Sequence, residues 1–189
     1  MPQSATEERL TEAVKRVLET TDAKQRIEKQ KRTAEQRRER SDTLWFELIL
    51  SMSTWQGSSG SDLATEEEYY SEVTYNKLLR MPEKERVQHL KQVLLDAGVN
   101  MHKKKSRYIS SHVNRIESMG GLDAAQQEFE SKDGKNAKMN FLKQFKGIGD
   151  KYSRNIGMDL FHPDFRDTVA LDTRIRNVTD ELDIEFDSY

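Results

Sequence analysis

Cysteine is absent from this chain of 189 residues. Disulfides, zinc–thiolate centres and iron–sulfur clusters are therefore excluded, because each is built on cysteine sulfur. Long apolar runs are missing as well. No stretch approaches the roughly 20 residues that span a bilayer, and Met1 to Leu10 carries no apolar run of the signal-peptide kind. The expectation is a soluble, intracellular protein of the cytoplasm or nucleoid that makes no use of a membrane. Hydrophobic residues are scarce at 34% and charged residues abundant at 34%, so a core forms only where the apolar residues concentrate. They do so at Leu44 to Met52, Val87 to Val99, Phe141 to Ile156 and Phe161 to Val178. The first forty residues lack aromatics, which places the main core from residue 42 onwards.

The formal net charge of −2 argues weakly against a nucleic-acid partner. The distribution argues the other way, because local patches decide phosphate binding. Positive charge gathers at Lys24 to Arg40, at His102 to Arg107, and between Lys132 and Lys151. Negative charge gathers at Glu66 to Glu68 and from Asp180 to Asp187.

Helical periodicity dominates and strong strand signals are absent, so the expected class is all-α. Residues 5–40 read as one long charged helix, either a solvated face or a DNA-facing arm, with no sustained heptad. Ser41-Asp42 is a candidate cap for a buried helix through Trp45, Phe46, Leu48, Ile49 and Met52. Small polar residues at 56–61 read as a loop. Single helices are expected over Tyr69 to Leu79, from Met81-Pro82 to Ala97 with Gly98 as its stop, and over His102 to Met119 before Gly120-Gly121. Residues 126–138 read as a short helix followed by a loop. His89, His112 and His162 have no metal-ligand spacing and read as structural. Trp45 belongs in the core, and Trp55 is open between core and base stacking. The run from His102 to Arg107 reads as a solvated face that adds non-specific phosphate affinity.

The informative stretch runs from Lys138 to Val178. Gly147-Ile148-Gly149 forms a tight turn between two helices, and Lys151 opens the second. Glycine can take positive φ and lets a phosphate approach the backbone, while Ile148 anchors the turn. The N–H groups that begin the second helix then form an anion site aided by the helix dipole. Such contacts position a duplex without reading its sequence. A lysine in a helix's first turn is most often a surface residue, and an aspartate before Ile175 and Val178 is most often an N-cap. Their place in a longer pattern changes the reading.

Phe145-Lys146-Gly147-Ile148-Gly149-Asp150-Lys151 followed by Ala170-Leu171-Asp172-Thr173-Arg174-Ile175 resembles the helix-hairpin-helix/Gly-Pro-Asp superfamily of DNA glycosylases. The order and separation of the two motifs fit. Leu44 to Ile49 with Gln56 is similar to the family's buried first helix and polar loop, and Ala97-Gly98 with Lys105 and Ile109 to its middle section. The resemblance covers roughly residues 42–178. It implies a helix-hairpin-helix glycosylase fold, with Lys151 the nucleophile of a glycosylase/AP lyase and Asp172 its essential carboxylate. Lys146, Gly147, Ile148 and Gly149 would meet DNA, and Gln56 would fill the gap left by a flipped base. The partner would be double-stranded DNA carrying a damaged base, the protein a monomer, and a monovalent cation is implied at the hairpin carbonyls.

The chemistry suits these residue types. A glycosidic bond to a base breaks through a cationic sugar, which a carboxylate stabilises. A neutral amine attacks C1′ and forms a Schiff base, after which elimination cleaves the strand. A free lysine titrates near about 10.4, so reactivity near neutral pH takes roughly three units, or about 4 kcal/mol. Partial burial and the helix N-terminus favour the neutral form, and a nearby Asp172 opposes it.

Three departures from the family pattern stand out. The iron–sulfur cysteines of some branches are missing, which favours the branches without a cluster. Lys146 stands where proline is common, which leaves a less rigid turn. The chain ends soon after Asp172, so the expectation is that the N-terminal helix compensates or that the C-terminal part is truncated. The domains read as a charged helix over 1–41 and a glycosylase-like domain over 42–189. A non-catalytic helix-hairpin-helix DNA-binding module is the alternative, and a helical protein-interaction module a third reading.

Overall fold

The computed structural model describes residues 18–54 and 62–166, together with 8, 11, 12 and 14–16. All regular structure among them is helical. The chain divides into two compact units. A central unit comprises Arg40–Ile156, and a terminal unit joins Met1–Glu39 to Gly157–Tyr189.

The central unit is built on a buried helix, α2 (Thr43–Thr54), of which ten residues are buried. Trp45, Leu48, Ile49 and Met52 have no exposed surface, and each such side chain contributes about 1.5–3 kcal/mol of burial. Two short helices, α3 (Asp62–Thr65) and α4 (Glu67–Tyr70), lead to α5 (Tyr75–Leu79). The single helix expected over 69–79 is therefore broken at residues 71–74. The break leaves the Val73 carbonyl outside any helix, where it accepts the Trp45 indole N–H at 2.8 Å. A buried indole needs such a partner, and here that need interrupts the helix.

Helix α6 (Glu83–Asp96) follows Pro82 and stops at Gly98, which has φ +67. Helix α7 (His102–Ser118) ends at Gly120 and Gly121, both at positive φ. In both stops a 6→1 bond closes the helix, Val99 to the Leu94 carbonyl and Gly121 to the Ile116 carbonyl, as a glycine-terminated helix requires. Residues 126–138 form more helix than expected, with α8 (Leu122–Ser131) and α9 (Gly134–Leu142) separated by two residues. Lys138 explains the tight join. Its side chain is buried, and its ammonium donates to the carbonyls of Glu130 and Lys132, capping the end of α8. A cation there also meets the negative end of the helix. Helix α7 is the hub, packed by α2, α5, α6 and α8.

At the entrance to α2, the expected cap residue Asp42 turns its carboxylate to two side chains. Its carboxylate takes the Arg40 guanidinium at 2.7 and 3.1 Å and the Tyr70 hydroxyl at 2.6 Å. Arg40 lies 4.3 Å over the Phe46 ring and 4.9 Å over Tyr70. Burial and the Asp42 bond raise the Tyr70 phenol, which keeps it a donor.

In the terminal unit, α1 (Thr21–Arg38) is a separate helix and not the continuation of one running from residue 5. Thr20 breaks the helical run with extended backbone and caps α1 by accepting the Ala23 N–H at 3.3 Å. The signal was the Thr20-Thr21-Asp22 run, a side-chain cap followed by acid in the first turn. Helix α10 (Asp150–Asp159) is followed by a 3-10 turn, Pro163–Phe165. Phe165 packs where a side chain at Gly157 would stand, 2.4 Å from an added Cβ. No helix among the described residues is long and apolar enough to cross a membrane.

Replacing Asp42 with alanine strands Arg40 and the Tyr70 hydroxyl together. We expect a loss of about 2 kcal/mol in urea-induced unfolding, with far-UV helicity unchanged.

Candidate functional site

Helices α9 and α10 flank the glycine turn, and its backbone shows how it holds its shape. The Phe145 N–H bonds to Leu142 O and the Ile148 N–H to Phe145 O, each at 3.0 Å. Gly147 takes φ +89. A Cβ there would lie 2.9 Å from the Tyr108 ring and 3.2 Å from the Met52 methyl. Gly149 is not left-handed, contrary to the expectation that both glycines use positive φ, and open space surrounds it. The two glycines therefore do different work. Gly147 permits the turn, and Gly149 keeps its outer face clear.

Phe145 and Ile148 are buried as the anchors the sequence suggests, and Lys146, Gly149, Asp150 and Lys151 are exposed. Lys151 lies in the first turn of α10. It is exposed, not partly buried as expected. Helix α10 begins one residue earlier than expected, at Asp150. Asp150 sits favourably at the positive end of α10, and Lys143 binds its carboxylate at 2.9 Å across the turn. The first N–H groups of α10 have no acceptor within the helix. Gln56, Trp55 and Asp172 lie outside the described residues.

His112 is the residue that the sequence reading undervalued. It has no exposed surface, its Nε2 lies 2.9 Å from the Lys146 carbonyl, and its ring meets Phe145 edge-on at 5.5 Å. Nε2–H must donate, because a carbonyl only accepts. Nδ1 is then the bare nitrogen, and it has no hydrogen-bond partner among the described residues. Burial lowers the His112 pKa to about 4, with the Lys146 bond working against it. The signal was its spacing, since His112 shares a helical face with Ile109, Val113 and Ile116. The reading of His112 as structural stands, but the structure it serves is the turn. Arg115 adds a bond to Gln144 just before the turn.

The same face corrects the reading of the basic run. Lys103, Lys104 and Arg107 are exposed, whereas Lys105 is completely buried. Desolvation lowers its pKa to about 8. Lys105 lies four residues before Ile109, on the apolar side of α7.

A monovalent cation at the turn would be held by backbone carbonyls. Those of Phe145, Lys146 and Gly149 already accept from Ile148, His112 and Ser153, so they offer an ion only their second lone pairs.

The all-helical architecture with this turn is that of the helix-hairpin-helix DNA glycosylase fold. The chain is similar to the crystal structure of the Methanocaldococcus jannaschii 8-oxoguanine DNA glycosylase, with a TM-score of 0.67 at 18% identity. The match covers 94% of this chain and 76% of that one. No protein-family model and no curated protein matches the chain.

Two measurements test the turn. Gly147→Ala combines a left-handed alanine with a clash against Tyr108, and we expect it to cost at least about 1 kcal/mol; Gly149→Ala should leave the urea midpoint nearly unchanged. Between pH 6.5 and 4 the unfolded chain protonates His112 while the folded chain resists. Stability is therefore full above pH 6.5, falls as pH drops toward 4 and levels off below, by about 3 kcal/mol in all. His112→Gln keeps the donor and cannot titrate, so this part of the acid slope should vanish from its unfolding curves.

Proposed function

We propose that the protein is a base-excision DNA glycosylase with AP lyase activity, acting on double-stranded DNA as a monomer. One observation carries the reading: Lys151 stands exposed in the first turn of α10, directly after the glycine turn, in a chain with a DNA glycosylase's fold. The chemistry begins with phosphates. The N–H groups at the start of α10, with Lys146 alongside and Gly149 leaving room, hold the strand backbone and position it. Gly147 and Ile148 fix the turn that presents them. The target base leaves the stack, and Gln56 fills the gap behind it. The Lys151 amine attacks C1′, and the base departs with the bonding electrons and takes up a proton. Asp172 stabilises the positive charge that grows on the sugar. The sugar ring opens to a Schiff base, loss of a C2′ proton expels the 3′ phosphate, and hydrolysis returns the lysine.

The reading excludes a cluster cofactor, since the chain has no cysteine. The neighbour's name makes 8-oxoguanine the first lesion to test, and that base is part of the proposal only. The proposed activity would act inside the cell, where the DNA is.

Borohydride trapping on duplexes carrying 8-oxoguanine, uracil, oxidised pyrimidine, alkylated purine or an abasic site is the direct test. A covalent adduct is expected with at least one of them and is expected to vanish in Lys151→Ala. Base release should fall by at least about 100-fold in Asp172→Asn. Release without an adduct would replace the lyase with hydrolysis by water. Binding with neither product would make the turn a non-catalytic DNA-binding module.

A further inference from the structure

The terminal unit holds a cavity of about 1030 Å³, walled by α1 on one side and by residues 158–166 on the other. Its described lining includes six cations, Arg26, Lys29, Lys31, Arg37, Arg38 and Arg166, against the carboxylates of Glu35 and Asp159. Asp159 is exposed by area yet walled in by the cavity. Desolvation there holds its carboxyl above the ordinary aspartate value, against the pull of Arg37. The cationic lining is extended, not compact. From Arg26 to Arg38 it follows α1 for about 18 Å, a length that suits successive phosphates better than one small anion. Arg26 and Lys31 pair with Asp22 and Glu28 only at the exposed helix surface, where such pairs are weak and easily exchanged for phosphate.

Of the two phenylalanines that line the cavity, Phe165 is buried and Phe161 is exposed, placed against local preference. Helix α10 closes with the Phe161 N–H on Met158 O and the His162 N–H on Gly157 O, both at 2.9 Å. The left-handed position of that motif favours glycine. Phe161 occupies it at φ +48 with 43% of its surface exposed. A bulky residue in this conformation is strained, and such strain persists at sites that use the side chain. Its ring has given up burial as well. An exposed aromatic beside a row of cations is the arrangement that stacks bases along a phosphate track. A duplex hides its base faces, so the ring needs an unpaired strand.

We propose that this cavity binds an unpaired stretch of nucleic acid, with its phosphates along the α1 cations and one base stacked on Phe161. The described lining does not include Lys151, so the proposal goes beyond the glycosylase reading and stands or falls separately. Undamaged oligonucleotides test it without any chemistry.

The measurement is fluorescence anisotropy of the full chain with a labelled single strand of about twelve nucleotides, and with a blunt duplex of equal length. Phe161→Gly relieves the backbone, so its melting temperature should equal or exceed that of the parent. We expect its single-strand affinity to fall at least about fivefold and its duplex affinity to hold, with Phe161→Trp retaining both. Arg26→Glu with Lys29→Glu should weaken single-strand binding and reduce the slope of log affinity against log salt by about one or more. Unchanged single-strand affinity in Phe161→Gly would overturn the proposal. An equal loss on single strand and duplex would overturn it too, since the ring would then be supporting a general DNA surface. Trapping experiments read the lesion chemistry independently of either result.

Discussion

The hydrogen bond from the buried His112 ring to the Lys146 carbonyl fixes the turn between α9 and α10, and the site depends on that turn. It reaches the turn from α7, the helix against which most of the central unit packs. Proline at position 146 would stiffen the backbone locally by fixing φ. Lysine leaves φ free, so the constraint has to come from elsewhere in the fold. His112 supplies it from below, Phe145 and Ile148 are buried on the same side, and Arg115 holds Gln144 one residue earlier. The arrangement leaves Nδ1 buried without a partner among the described residues, a cost set against one well-made bond. A charged imidazole would be worse, and this is why burial keeps the ring neutral.

Much of this was readable from the residues alone. The all-α class, the α2 core around Trp45, the glycine stops at Gly98 and Gly120-Gly121, and the buried Ile148 all follow from local rules. Each depends on periodicity or on a conformation that few residues tolerate. The failures share a different cause. The break after Tyr70 exists because the Trp45 indole needs the Val73 carbonyl, a partner 28 residues away. Helices α8 and α9 lie closer together than a polar sequence suggests because Lys138 folds back on the end of α8. His112 and Lys105 sit on the apolar face of α7, and that spacing was visible, but residue type outweighed position in the reading. Thr20 was a missed cap, legible in principle and hidden inside a long run of good helix formers.

A net charge of −2 describes neither unit well. Several acids are committed to the fold and do not repel a polyanion: Asp42 serves Arg40 and Tyr70, Glu117 takes the Tyr75 hydroxyl, and Asp150 is held by Lys143. Asp42 and Asp150 each have a cation within 2.9 Å. Cations such as Lys103, Lys104, Lys146 and Lys151 instead project outward from the central unit. Counting charges over the chain cancels these two populations, although one is engaged within the fold and the other faces solvent.

The contrast between Lys105 and Lys151 shows which constraint governs reactivity here. Burial brings the Lys105 amine down to about 8, which on acidity alone would make it the better nucleophile. It has no exposed surface at all, and no sugar carbon can reach a group sealed beneath α7. Lys151 differs from it in access. It is exposed, it stands at the positive end of a helix, and it adjoins the glycine turn. In the proposed reaction, attack on C1′ is first a matter of distance and approach, a requirement that an accessible amine meets and a buried one does not. On the proposed lyase reading access therefore favours Lys151, and the burial of Lys105 serves the packing of α7.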